Sequence, residues 1–252
     1  MPTFISWLWL FAIFLPLILL ERWVHTHLQG IWLLIFRNAD IAVVIYALMV
    51  LPGVLVHELS HWLMATLLGA RTGRFSIIPE RLPDGTVRLG FVEAQRTDLI
   101  REALIGAAPL MVGSALVIGV SYGLLNAGPV GEALVRGDLG GVLQAIQAVW
   151  QAPDAWLWLY LIFAISNSML PSASDRRAWL PLAVFVGLLA ALLVYAGFEQ
   201  LVLDALTGPV DAAIRALATA FTITVIFNVC VLPIIWLLEQ GLMKLTGMQV
   251  NY

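Results

Sequence analysis

Long apolar runs dominate this sequence, and they constrain its fold more than any other feature. A helix that crosses a membrane needs about 20 consecutive, mostly apolar residues. About six runs approach this length, and they cover residues 4–20, 41–69, 99–125, 155–171, 179–198 and 216–238. Such continuous runs exclude a transmembrane barrel, whose strands give short segments of alternating polarity. They predict an all-α polytopic membrane protein, in which residues 1–252 form a single membrane domain with about six transmembrane helices.

The composition of the chain agrees with this interpretation. Hydrophobic residues make up 61% of the sequence and charged residues only 12%. A soluble domain has about 45–50% apolar and about 25% charged residues, so a soluble enzyme and a disordered chain are both excluded. The net charge of −3 offers no basic surface for a phosphate backbone, so no nucleic-acid partner is expected. The expected partner is the lipid bilayer.

The arginines set the expected orientation in the membrane. Residues 70–101 hold six of them, and residues 171–178 hold two more. Because cytoplasmic loops carry an excess of Lys and Arg, we expect these two segments and both termini to face the cytoplasm. Residues 21–40 must then lie on the outer face. This placement puts His25 and His27 on the face opposite any cytoplasmic site.

Residues 73–95 depart from the apolar pattern. Two stretches, 74–78 and 86–92, are typical of β-strands, and the Pro-Asp-Gly sequence at residues 83–85 is a turn signal. We therefore predict a small β-hairpin at the cytoplasmic face. A single hairpin is only marginally stable in water, so we expect this one to pack against the bilayer or the helices.

The second apolar run contains the sequence His57-Glu58-Leu59-Ser60-His61. Positions four apart share one face of a helix, so both imidazoles can reach one ion. Glu58 can then be held near water at that ion, as in the H-E-x-x-H zinc proteases. Ionisable groups are costly inside a membrane unless they have an internal partner, which a metal ion supplies. The motif predicts a metal site with Glu58 as general base.

A third protein ligand is expected, because catalytic zinc usually takes three and leaves one position for water. We favour Asp175, which follows a dense polar stretch, residues 166–174, at the end of an apolar run. Broken helix of this kind is tolerated in a membrane protein where it lines a wet cavity. An alternative is that Asp175 only caps the fifth span. His25 and His27 have suitable side chains, but the expected topology separates them from the motif.

Three features occur in a fixed order between residues 41 and 180: the H-E-x-x-H motif, a small-residue and proline patch, and a late polar segment. In this chain they are residues 57–61, 106–113 and 167–175. Together with the hairpin, they resemble the three-span catalytic core of the site-2 protease family of intramembrane zinc metalloproteases.

This resemblance implies one zinc ion bound by His57, His61 and Asp175, with Glu58 as the base. It also implies that Asn167 lies near the substrate or the developing oxyanion. The expected function is cleavage of a transmembrane or membrane-proximal peptide bond by metal-activated water, and the expected partner is a transmembrane protein substrate.

The same family likeness implies that Pro171, together with Asn167, contributes to binding the substrate. Two other functions remain open. A membrane zinc protease of the prenyl-protein type takes a glutamate as third ligand, for which Glu102 and Glu199 are the candidates. A non-catalytic metal-binding protein or transporter would use the motif histidines as a structural or transit site.

Overall fold

The computed structural model describes residues 3–81 and 87–250, and helices make up most of it. In chain order the helices and strands are α1 (Thr3–Phe36), α2 (Ala39–Leu67), β1 (Thr72–Ser76), β2 (Glu80–Arg81), β3 (Val87–Arg88), β4 (Phe91–Ala94), α3 (Leu99–Ile118), α4 (Gly128–Arg136), α5 (Leu139–Gln151), α6 (Ala155–Ser166), α7 (Trp179–Tyr195), α8 (Glu199–Ala205) and α9 (Asp211–Thr246). Two short π-helical segments, Gly119–Leu124 and Leu206–Val210, follow α3 and α8.

Four helical stretches in the described part of the chain are long and apolar enough to cross a membrane. They are Phe4–Phe36, Ala39–Leu67, Leu99–Leu124 and Glu199–Thr246. The bent pair α5 and α6, with an angle of 101° between them, makes a fifth only if both helices count as one broken span. The architecture is compatible with the predicted all-α membrane protein, but it does not confirm the count of six spans.

The first helix continues where the sequence predicted a connection. Residues 21–40 were expected on the outer face, yet α1 runs without a break to Phe36. Glu and Arg are good helix formers, so Glu21 and Arg22 end the apolar run without ending the helix. The first helix is therefore longer than the predicted run 4–20, while the placement of residues 21–40 on the outer face stays a prediction. The longer helix brings His25 to the neighbourhood of the H-E-x-x-H motif.

Two of the six predicted spans form helices shorter than expected. The run 155–171 is helical only to Ser166, because the polar residues that follow and Pro171 do not continue α6. The run 179–198 forms α7, which has 17 residues, and no residue of this fully described helix is buried. Between α6 and α7 lies a stretch of turns that reaches back into the helical bundle.

The predicted hairpin is present in outline as two short antiparallel pairs. β1 pairs with β4, so that Ser76 lies opposite Phe91, and β2 pairs with β3. The second predicted strand was too long, because the chain leaves the strand conformation at residues 89–90. The predicted turn at residues 83–85 lies outside the described residues.

The core forms where α2 lies between α1, α3 and α6, while α9 packs along α1. Tyr46, Val50 and Val54 of α2 are buried against Val24 and Leu28 of α1. Burial of such side chains is the main stabilising contribution to packing in the bundle's interior. The core therefore holds α2 in place as far as Val54, three residues before the H-E-x-x-H motif begins.

Candidate metal centre

α2 places the two imidazoles of the motif side by side. The Nε2 atoms of His57 and His61 are 3.2 Å apart, as expected for positions one helical turn apart. Both side chains are largely removed from solvent, with His61 only 9% exposed. The two nitrogen atoms therefore face one small volume from the same helix.

The turns after α6 bring Asp175 to the same volume. Its Oδ1 atom lies 3.3 Å from Nε2 of His61, and its Oδ2 atom lies 3.7 Å from Nε2 of His57. One ligand atom from each of the three residues lies within 4.8 Å of the other two. Zinc binds nitrogen and oxygen ligands at about 2.0–2.2 Å in a tetrahedron, which separates the ligand atoms by roughly 3.3 Å. Two imidazoles and a carboxylate at these separations fit a zinc ion.

Backbone carbonyls hold the other nitrogen of each imidazole. His57 Nδ1 lies 2.6 Å from the carbonyl oxygen of Ser168, and His61 Nδ1 lies 2.8 Å from that of Ile105. A carbonyl can only accept, so each Nδ1 donates its proton, and in the neutral imidazole that binds a metal each Nε2 then keeps a free lone pair. This is the arrangement by which neighbouring groups orient metal-binding histidines. Both rings thus present Nε2 as a ligand atom.

Pro109 explains why the carbonyl of Ile105 is free to accept from His61. Within a helix this carbonyl would accept from the N–H four residues later, and that residue is Pro109, which has no N–H. The proline in the small-residue patch of α3 therefore supplies the acceptor that orients a ligand on α2. The patch at residues 106–113 thus helps to orient His61.

Two glycines allow the backbone segments around the site to approach each other. A Cβ atom added at Gly106 of α3 would overlap the carbonyl oxygen of Asp175. A Cβ atom added at Gly53 of α2 would overlap the carbonyl oxygen of Ala164 and come within 2.6 Å of Ser168 Oγ. The close packing of α6 and the following turns against α2 and α3 depends on these two positions.

The turns also determine the charge of Asp175. Its Oδ2 atom accepts from the backbone N–H of Ser172 at 2.7 Å. In the metal-free chain burial opposes ionisation, but hydrogen bonds from Nε2 of His57 and His61, made when these rings carry a second proton, outweigh it and hold the pKa of Asp175 well below its usual range. The side chain does not cap the next helix, because α7 begins at Trp179 with Ala178 at its N-cap. Asp175 is therefore an ionised carboxylate facing two imidazoles.

Glu58 lies beside this group and closes one wall of a pocket of about 190 Å³. Its side chain is buried, and its Cγ atom would lie 2.9 Å from a Cβ added at Gly90, in the connection between β3 and β4. The hairpin thus packs directly against the predicted base. The pocket is lined by Glu21, His25, Val54, His57, Glu58, Leu89, Gly90, Asn167, Ser168 and Leu170.

Asn167 lines this pocket, but its side chain is already paired. Its Nδ2 atom donates to Asn228 Oδ1 at 3.1 Å and to the carbonyl of Phe163 at 2.9 Å, while Asn228 Nδ2 donates back to Asn167 Oδ1 at 3.0 Å. Among the described residues that line the pocket, Pro171 is absent. The roles of Asn167 and Pro171 toward the substrate stay predictions.

Three polar residues near the site were missed by the sequence interpretation: Glu21, Tyr46 and Asn228. A fourth, His25, was considered as a ligand but set aside because the expected topology separated it from the motif. The signal was present, because Glu21 and His25 are four apart in a helix, as the two motif histidines are. Polar groups inside membrane helices are rare and costly, so a polar pair with helical spacing indicates an internal partner.

Comparison with protein-family models, with curated proteins and with solved structures finds no match for this chain. Fold and site together define a helical protein, compatible with membrane insertion, that carries a His-His-Asp group able to bind a metal ion. Glu102 and Glu199 lie outside the group of described residues that can share this ion.

Proposed function

We propose that this protein is an intramembrane zinc metalloprotease that cleaves a transmembrane or membrane-proximal peptide bond of a protein substrate. The observation that carries the proposal is the position of Glu58, buried beside the convergent group of His57, His61 and Asp175 and open to the same pocket as His57. The motif resemblance to the site-2 protease family supports the same activity.

The three ligands define what the site can hold. Two neutral imidazoles and a carboxylate suit zinc, and both imidazoles are already oriented with Nε2 toward Asp175. A divalent ion bound there supplies Lewis-acid chemistry, which activates water and polarises a carbonyl group. His57, His61 and Asp175 contribute by fixing the position and the net charge of the centre.

Glu58 moves the protons of the proposed reaction. As a carboxylate it accepts a proton from the water that attacks the scissile carbonyl carbon, and it delivers a proton to the amide nitrogen that leaves. The C–N bond breaks, and the products are a new carboxylate and a new amine. Packing of Glu58 against Gly90 holds it on one side of the pocket.

The hairpin provides a place for the peptide that is to be cleaved. A substrate helix hides its carbonyl groups in hydrogen bonds, so the segment at the site must be extended. Within the described sheet, β4 pairs only with β1, and its start at Phe91 directly follows the Gly90 that packs on Glu58. An extended substrate can therefore add to β4 and pass close to Glu58.

The membrane arrangement follows from the helices and the arginines. We propose a multi-pass protein with both termini, residues 70–101 and residues 171–178 in the cytoplasm. The four long apolar stretches return both termini to one side, because an even number of spans brings the chain back to its starting side. In this proposal the bent pair α5–α6 and the shorter apolar helix α7 add two further crossings, which bring residues 171–178 to the same side as residues 70–101. The metal centre then lies toward the cytoplasmic part of α2.

Glu58→Gln tests this function with the full chain reconstituted in liposomes. The probe is a mixture of labelled single-span peptides, and new termini are identified by mass spectrometry. We expect zinc-loaded wild type to produce new termini and Glu58→Gln to produce none while it still binds zinc. Glu102→Gln is the matched control and should cleave as wild type does. Equal cleavage by Glu58→Gln, or none by zinc-loaded wild type, would contradict the proposal.

A further inference from the structure

His25 of α1 forms hydrogen bonds that lead to the metal centre without itself belonging to it. Its Nε2 atom lies 3.0 Å from the carbonyl oxygen of Asn167, and its Nδ1 atom is hydrogen-bonded to the hydroxyl of Tyr46 on α2. Glu21, one turn earlier in α1, has its Oε1 atom 3.7 Å from the same Nε2. Both ring nitrogens are thus engaged.

The partners of His25 fix which nitrogen carries the proton. The carbonyl of Asn167 can only accept, so Nε2 donates to it, and with the ring in that tautomer Nδ1 accepts from the O–H of Tyr46. Glu21 lies on the side of the Nε2–H and favours the same assignment. His25 therefore connects the carbonyl of Asn167 to the hydroxyl of Tyr46, rather than acting as a ligand that offers Nε2 to an ion.

The carbonyl held by His25 directly precedes the carbonyl that holds a metal ligand. α6 ends at Ser166, so the carbonyls near its end have no partner further along the helix and need others. The carbonyl of Asn167 accepts from His25 Nε2, and the next carbonyl, that of Ser168, accepts from His57 Nδ1. Asn228 holds the side chain of Asn167 from α9. The Asn167–Ser168 turn is thereby held from three helices.

We propose that His25 is a positioning residue for the metal centre. It fixes the Asn167–Ser168 turn, and through the carbonyl of Ser168 it sets the orientation of His57 toward the ion. This role rests on the proposed function only as far as the metal site is concerned, and it does not require the protein to be a protease. Among the described residues close enough to share one ion, His25 is absent, which agrees with an indirect role.

Two substitutions separate positioning from general packing. His25→Leu removes the donor and the acceptor, whereas His25→Gln keeps one of each in its amide. Loss of a group that orients a metal ligand typically lowers metal affinity by about 10–100-fold. We expect that loss for zinc in His25→Leu and recovery of most of the affinity in His25→Gln. Thr26→Ala is the control, because its exposed hydroxyl donates to the carbonyl of Arg22 within α1.

The affinities are measured on the full chain in detergent, by competition with a chromogenic zinc chelator. A second readout is the visible absorption spectrum of the protein saturated with Co²⁺, which reports ligand geometry. We expect the spectrum to change in His25→Leu and to stay as in wild type in His25→Gln. A residue that only stabilises the fold would not alter the spectrum of a saturated site.

Tyr46→Phe provides a variant that conserves the shape of the core. It removes only the hydroxyl that bonds to His25, so we expect a smaller loss of zinc affinity in the same direction. In the His25→Leu background the same change should have no further effect, because the interaction is already gone.

Wild-type affinity and an unchanged Co²⁺ spectrum in His25→Leu would overturn the positioning role alone. Equal losses in His25→Leu and His25→Gln with an unchanged spectrum would also overturn it, in favour of a packing role. Failure of wild type to bind zinc would overturn the proposed function together with this inference. The two failures are therefore distinguishable.

Discussion

The carbonyl oxygen of Ile105 lies 2.8 Å from Nδ1 of His61, across the interface between α3 and α2. This contact joins the small-residue patch of α3 to the H-E-x-x-H motif, although 44 residues separate the two in sequence. Pro109 leaves the carbonyl without a helical donor, and His61 supplies one. The orientation of a metal ligand therefore depends on a proline that contributes no functional group of its own.

Replacing Pro109 tests this dependence. Pro109→Ala restores a backbone N–H that competes with His61 for the carbonyl of Ile105, so we expect zinc affinity to fall by about tenfold, at the low end for groups that orient metal ligands. Chelator competition on the full chain measures the change. Pro233→Ala, in the interior of α9, is the matched proline control and should leave the affinity as it is. Unchanged zinc affinity in Pro109→Ala would contradict the assignment.

The close approach of Asp175 to α3 gives a second prediction. Gly106→Ala places a methyl group against the carbonyl of Asp175, so the turn must move away and the carboxylate with it. We expect zinc affinity to fall by at least tenfold, because the loss of a group that only orients a metal ligand already costs about 10–100-fold. Gly119→Ala is the control, since nothing lies within 4 Å of a Cβ at that position. The two variants are compared by zinc titration, and equal affinities would refute the role of Gly106.

The lowered pKa of Asp175 predicts how the metal-free protein responds to acid. Below its ordinary value of about 3.8, the unfolded chain binds a proton at this carboxyl that the folded chain does not bind. The contribution of Asp175 to stability is therefore present above that value and is lost as pH falls through and below it. Thermal unfolding in detergent between pH 6 and pH 3 should show a shallower decline in Asp175→Asn than in wild type. Parallel curves would show that the carboxylate is not paired.

The buried amide pair predicts a stability effect that is independent of the metal. Asn228→Ala leaves the side chain of Asn167 without its partner in a buried position. An unsatisfied buried polar group typically costs about 1–3 kcal/mol. We expect a loss of that size in the unfolding free energy, and a much smaller loss when Asn228→Ala is added to Asn167→Ala. Additive losses in this double-mutant cycle would show that the two amides do not act as a pair.

The site illustrates which parts of such a protein are readable from sequence. His57 and His61 follow from helical spacing alone, and Asp175 follows from a density of polar residues that does not suit a membrane span. His25 was set aside because the charged residues Glu21 and Arg22 end the apolar run and so indicated the end of the first span. Both residues favour helix, so α1 continues through them. The partners of His25, Tyr46 and Asn167, are revealed only by the tertiary structure.

Some helix boundaries also follow from the sequence, and others do not. Residues 41–69 and 99–125 form the long helices that their apolar runs predict, α2 and α3 with its π-helical extension. The bend between α5 and α6 falls at Pro153 and Asp154, where Asp154 adopts a left-handed conformation with φ of 54°. Apolar runs do not encode such a bend, so counting runs overestimates the number of straight spans.

Metal content of the purified chain tests the central claim most directly. Elemental analysis of wild type, His57→Ala and Asp175→Ala, purified in parallel, should find about one zinc per wild-type chain and essentially none in either variant. Absence of metal from freshly prepared wild type, or retention of zinc by Asp175→Ala, would contradict a centre formed by His57, His61 and Asp175.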